Sequence, residues 1–173
     1  DGSDGGGRGN AGVKSFDADK VSTDELPGNQ HVWFRTVLSH RDPNISLPPA
    51  NQDEMWSRIR YFLANLLPVA EESGVTLAAH PEDPPLAKLR QTARPLHRVE
   101  ALQRLVDLVP SRCNQLEFCQ GTIGEMPDSN LPEIIEHFAS QNKIAYVHFR
   151  NVSATLPRFD EVFIDEGRVN MLA

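Results

Sequence analysis

A fold of parallel β-strands alternating with α-helices, an α/β architecture, is predicted by three features of this sequence. Helical periodicity recurs in three stretches between Asn51 and Phe138, a short apolar run follows each stretch, and each run ends on a side chain able to ligate a metal. Thr76-Leu77-Ala78-Ala79 leads into His80, Gln115-Leu116-Glu117-Phe118 into Cys119, and Ile144-Ala145-Tyr146-Val147 into His148. The spacings are 39 residues from His80 to Cys119 and 29 from Cys119 to His148, enough for one helix in each interval. That is the repeat of a βα barrel or of a doubly wound sheet, and in either fold the carboxyl ends of the strands gather on one face.

Residues 1–50 read as a segment apart, loop-rich or an insertion. Six of the eleven glycines lie between Gly2 and Gly12, and Pro27, Gly28, Pro43, Pro48 and Pro49 punctuate the stretch from Leu26 to Pro49 without a sustained period. Gly5-Gly6-Gly7-Arg8-Gly9-Asn10 lacks the Lys-Ser/Thr pair of a phosphate loop, and no strand precedes it. Val32-Trp33-Phe34 and Val37-Leu38 fit a short strand or a turn equally.

Residues 51–173 hold the βα units of a single domain. Asn51 and Glu54 form a capping box at the start of the first helix, whose apolar face is Met55, Ile59, Phe62, Leu63, Leu66, Leu67 and Ala70. Pro68 is expected to bend or interrupt that helix, and Gly74 to cap it before a strand from Val75 to Ala79. Beyond the Pro-rich turn after His80, a second helix is marked by Val99, Leu102, Leu105, Val106 and Val109, is stopped by Pro110 and leads to a strand from Gln115 to Phe118. Asn130, Pro132 and Glu133 open a third helix through Ile134, Ile135 and Phe138, which gives way to a strand from Lys143 to Phe149.

Composition bounds the function. With 173 residues, 39% hydrophobic and 24% charged, the chain can bury one sizeable core, and no apolar run approaches the ~20 residues of a membrane span. A net charge of -7, a pI near 5.3 and the lack of any Lys/Arg cluster argue against a phosphate-binding surface. Neither nucleic acid nor membrane is therefore expected as a partner. Two cysteines, Cys113 and Cys119, are too few for a disulfide framework, so the expected compartment is a reducing cytoplasm, and no leader is read at Asp1. Asn44-Ile45-Ser46 and Asn151-Val152-Ser153 match the glycosylation acceptor pattern and are read as chance.

A lone His at a strand end is more often a hydrogen-bonded structural residue than a ligand, and a lone Cys more often a small buried hydrophobe. Three such residues at equivalent positions of successive βα units are harder to dismiss, and His80, Cys119 and His148 are the expected metal ligands. Two imidazoles and a thiolate suit borderline ions such as Fe, Zn or Mn better than Ca or Mg, which take oxygen.

At the same strand ends the sequence resembles the mannonate dehydratase family. The resemblance lies in Val69 through Pro85, in Leu116-Glu117-Phe118-Cys119-Gln120-Gly121-Thr122 and in Lys143 through Val152; it continues through Phe159 to Gly167, with a weaker echo in Gly9 to Asp17. It implies a TIM-type (β/α)8 barrel and a hydro-lyase dependent on Fe2+ or Mn2+ that converts D-mannonate to 2-keto-3-deoxy-D-gluconate in hexuronate (glucuronate) catabolism. The family's His, Cys and His ligands correspond to His80, Cys119 and His148, and the implied partner is a sugar acid, with a homo-oligomer compatible with the full-length enzyme. In relatives a further ligating Asp, followed directly by a catalytic His in an Arg-Pro-Asp-His-Gly-type motif, comes well after the position of His148, and a catalytic Tyr follows later. No such motif occurs before Ala173, so the catalytic residues are expected downstream of Ala173. The chain accordingly reads as an internal fragment, a partial barrel incomplete at both ends, since a complete one takes roughly 250 residues.

Arg150 lies two residues past His148 and is the candidate to bind a substrate carboxylate, with a supporting or surface ion pair as the alternative. Glu117 is expected to support a ligand, and Glu82 and Asp83 to order their loop rather than act as an acid-base pair. His31, His40, His97 and His137 lack the strand-end context, and His137 reads as a solvated helix position. Two rivals stand beside the dehydratase: a divalent-metal sugar isomerase or epimerase, against which the Cys ligand counts, and a non-catalytic metal-binding remnant.

Overall fold

In the computed structural model, residues 2–3, 6–21, 31–33, 36–38, 50–89 and 92–172 are described, with backbone alone for 2–3, 31–33 and 36–38. Before the first long helix come the short strands Gly2–Ser3 (β1), Val13–Asp17 (β2), His31–Trp33 (β3) and Thr36–Leu38 (β4). The helical part begins at Asn51, whose side chain accepts from the Glu54 backbone N–H at 2.9 Å while the Glu54 carboxylate accepts from the Asn51 N–H at 2.9 Å. This reciprocal box starts α1, Gln52–Ser73, and Gly74 closes it in the left-handed conformation at φ 66°.

Of the two effects expected of Pro68, interruption does not occur, since α1 runs through it to Ser73. Pro68 and Ala64, whose carbonyl loses its intrahelical donor, both lie on the exposed side, where water can take the freed carbonyl. The buried stripe is Trp56, Leu63, Leu67 and Ala70, with Met55, Ile59 and Leu66 only partly covered and Phe62 55% exposed. Trp56 lies in that stripe with the Arg104 guanidinium 4.1 Å from its ring centroid.

After α1 the order is β5 (Leu77–Ala79), the hairpin β6 (Lys88–Leu89) and β7 (Thr92–Ala93), α2 (Val99–Leu108), β8 (Asn114–Cys119), α3 (Gln120–Glu125), α4 (Leu131–Ser140), β9 (Ile144–His148), β10 (Asn151–Val152) and β11 (Arg158–Val162). The expected alternation is present, and β5, β8 and β9 form a parallel sheet in that order. Registers run Leu77↔Asn114 to Ala79↔Leu116, then Leu116↔Ile144, a one-residue shift, and Glu117↔Tyr146 to Cys119↔His148. Leu116 and Phe118 enter a core with Leu102, Leu105 and Val106 of α2, Ile123 of α3 and Ile134 and Phe138 of α4. By alternation Glu117 and Cys119 take the opposite face. The buried Asn114 amide donates to the carbonyls of Leu105 and Val109, satisfying the end of α2 before Pro110. Asn130 sits at the start of α4 as expected, yet its side chain makes no capping bond, and the helix opens on Pro132 in its first turn.

A second, antiparallel sheet of order β1-β2-β11-β10 ties the start of the chain to its end. The loop-rich expectation for residues 1–50 therefore does not describe Val13–Asp17, which pairs with β11 and stacks Phe16 on Phe159 at 5.4 Å. Asn151 in β10 is buried, and its amide is fully engaged by Val152, Ile164 and Val169. Its glycosylation pattern is thus sterically silent, while Asn44 lies outside the described residues. Gly167 packs so closely here that a Cβ would fall 2.1 Å from the Asn151 amide. Among the described residues, no helix is long and apolar enough to cross a membrane.

Candidate metal centre

The carboxyl ends of the three parallel strands bring together His80, just past β5, and the last residues of β8 and β9. Donor atoms of His80, Cys119 and His148 all lie within 4.8 Å of one another, and the two imidazole centroids are 5.9 Å apart. The site is graded in exposure: Cys119 is fully buried, His80 is half-buried, and the His148 side chain is 47% exposed.

Each candidate donor is oriented by its neighbours. His80 Nδ1 lies 2.5 Å from the Pro81 carbonyl oxygen, which can only accept, so the neutral ring donates there and keeps Nε2 for an ion. The hydrogen bond to Cys119 raises the His80 pKa, against the opposing effect of burial, and the Pro81 bond adds to the rise. Burial would push the Cys119 thiol up, but the hydrogen bonds from His80 and Thr122 outweigh it and leave the thiol below its ordinary value. Thr122 supplies two of these, from Oγ1 at 3.2 Å and from its backbone N–H at 3.4 Å. Glu117 lies on the open side, its carboxylate 4.0 Å from His148 Nδ1, beyond hydrogen-bond reach but close enough to attract an imidazolium. A hydrogen bond to Glu117 also raises the Tyr146 pKa.

The donor set fits a borderline divalent ion. It combines a depressed thiol with a histidine already tethered through its distal nitrogen, the arrangement metal-ligating imidazoles adopt.

Arg150 lies beneath this centre, 7% exposed, rather than open to solvent. Its guanidinium pairs with Asp83 at 2.5 Å and with the fully buried Glu125, reaches Thr122 Oγ1 at 3.3 Å and has Glu161 at 3.5 Å. Burial pushes Glu125 up to about 9, reinforced by the charge of Asp83 and opposed by Arg150. Glu82 pairs instead with Arg94 at 3.1 Å, so the two acids of this turn order separate contacts. His137 is not merely solvated, since its Nε2 meets Gln103 Oε1 at 2.7 Å and links α4 to α2. His97 Nδ1 meets the Arg94 carbonyl, whereas His40 and the His31 side chain lie outside the described residues.

The family profile described as D-mannonate dehydratase (UxuA) matches residues 20–173. The chain belongs to the D-mannonate dehydratase family. It is 36% identical over 128 residues to the mannonate dehydratase of Geobacillus thermodenitrificans, covering 73% of this chain and 33% of that protein. Against mannonate dehydratase 2 of Halalkalibacterium halodurans it is 35% identical over 126 residues, covering 71% and 36%. The crystal structure of mannonate dehydratase from Streptococcus suis serotype 2 superposes with a TM-score of 0.66 at 31% identity, over 70% of this chain and 35% of that one. The chain thus spans about a third of the length of the dehydratases it matches.

Two residues beside the candidate donors escape a reading of the sequence alone, Thr122 and Glu125. The only available signal was local: Gly121 and Gly124 flank Thr122 in a short stretch after Cys119, small residues of the kind that allow close approach.

Proposed function

We propose that this chain provides the metal-binding part of a mannonate dehydratase, in which His80, Cys119 and His148 hold Fe2+ or Mn2+ and D-mannonate loses water to give 2-keto-3-deoxy-D-gluconate. The observation that carries the reading is the convergence of the three donors at the ends of successive parallel strands, within a sequence of this family. Sequential parallel order with helices on the outer face supports an arc of a (β/α)8 barrel. The expected setting is hexuronate breakdown in the cytoplasm.

When bound, the ion would stabilise the negative charge that develops as a proton leaves the carbon next to the substrate carboxylate. Cys119 closes the inner side of the site, so substrate approaches over His148 and Glu117. Tyr146, hydrogen-bonded to Glu117, keeps that carboxylate beside the open side. The Arg150 guanidinium is engaged by Asp83 and Glu125, which favours the supporting role over direct contact with substrate.

The test is anaerobic dehydration of D-mannonate with Mn2+ or Fe2+, comparing this chain with a version extended through its flanking gene sequence. Metal-dependent activity in the extended protein, abolished by Cys119→Ala, is the expected result. Activity that persists in Cys119→Ala, or inactivity of the extended protein with both metals, would overturn the assignment.

A further inference from the structure

Two of the three metal ligands are followed closely by a residue that meets one common side chain, and the third is followed by the residue that owns it. Asp83 comes three residues after His80, Thr122 three residues after Cys119, and Arg150 two residues after His148. Asp83 and Thr122 both contact Arg150 Nη1, at 2.5 Å and 3.3 Å, and the same nitrogen stands 4.0 Å from the Cys119 sulfur. Glu125, on the last turn of α3, holds the other terminal nitrogen. The guanidinium therefore bridges the segments that follow all three ligating strands. It is planar and multidentate, so one cation can hold several fixed directions at once, which a lysine could not.

We propose that Arg150 is the positioning residue of the metal centre, a buried clasp that fixes the three ligand-bearing strand ends relative to one another. Gly121 is part of the device, because a Cβ there would lie 2.7–2.9 Å from Arg150 Cγ, Cδ and Nε. The glycine lets the arginine stem pass against the first turn of α3. The clasp acts before any ion arrives: it limits how far His80, Cys119 and His148 can spread, and so lowers the cost of assembling them around a cation. The inference rests on the metal-centre reading above.

The experiment uses the flank-extended protein and measures Mn2+ affinity by titration calorimetry, the thiolate-to-metal charge-transfer band after Co2+ loading, and the melting temperature of the metal-free form. Arg150→Met is expected to weaken Mn2+ binding about 10- to 100-fold, the range typical of lost partners behind a ligand, and to diminish the Co2+–thiolate band. Asp83→Ala cuts one tether at the half-exposed rim without emptying the buried site. It should weaken Mn2+ binding several-fold while the metal-free melting temperature stays that of the wild type, a combination that a merely structural role would not give. If Arg150→Met fails to fold, Asp83→Ala decides. Wild-type affinity and an unchanged Co2+ band in the folded variants would overturn the clasp and leave the metal centre standing. A wild-type protein that binds neither ion would overturn the metal centre itself.

Discussion

Two strands of one parallel sheet, β8 and β9, share a ladder but not an environment. β8 has a neighbour on each side and buries Leu116, Phe118 and Cys119 almost completely. β9 pairs only with β8 among the described residues and leaves Tyr146, Val147 and, just past its end, Phe149 about half exposed. The candidate metal centre spans this divide, with its thiol on the buried strand and an imidazole on the open one. Pre-organisation therefore comes from one side and access from the other.

The largest effect should come from breaking the buried strand. Phe118→Ala removes a ring that is 1% exposed at the centre of the core and should cost about 3–5 kcal/mol in denaturant unfolding. A loss under about 1 kcal/mol would mean that β8 is not the stabilising strand. Next comes Gly121→Ala, which presses a methyl into the tethered Arg150 stem and should cost about 1–3 kcal/mol. The same substitution in a protein already carrying Arg150→Ala, which lacks Cγ and Cδ, should be nearly neutral, and equal costs in both backgrounds would argue against the contact.

A smaller effect is carried by pH. Glu125, facing Asp83, Arg150 and Cys119, is held at about 9 against an ordinary 4.5. The folded protein keeps a proton here that the unfolded chain releases, so this contribution is complete below about pH 4.5 and is lost as pH rises toward 9. Glu125→Gln should flatten the decline of melting temperature between those limits, and parallel wild-type and variant curves would contradict the buried-acid assignment. The smallest effect belongs to the open strand: Val147→Thr, at a site 48% exposed, should shift unfolding by no more than about 0.5 kcal/mol.

That His80, Cys119 and His148 would meet was legible in the sequence, because their chemistry is distinctive and each ends an apolar run. The helices were legible where a cap or a sustained period existed, as at Asn51 and Gly74. What was not legible depended on distant partners. Val13–Asp17 is short and lies beside a glycine-rich opening, and its pairing partner is Arg158–Asp160, far along the chain. α3 has six residues, two of them glycine, too weak a local signal to announce a helix. Trp56 is buried because the face of α1 that meets the core is centred on Leu63 and Leu67 rather than on Phe62. Arg150 could be placed near the site by its offset from His148, but the two acids that engage it come from a loop and a helix whose meeting no spacing reveals.

The register shift between β8 and β9 has a geometric consequence for the imidazole on the open strand. Ala145 is the extra residue: Leu116 and Glu117 are adjacent in β8, whereas their partners Ile144 and Tyr146 are not adjacent in β9. Side chains alternate faces along a strand, so one added residue exchanges the faces of everything beyond it. Strict alternation from Ile144 through Ala145 would instead put His148 on the face of Ile144 and Leu116, toward the helical layer, and set Val147 opposite Cys119. The candidate donor set is thus phased by one unpaired position in the backbone, a counting device that decides which way His148 points.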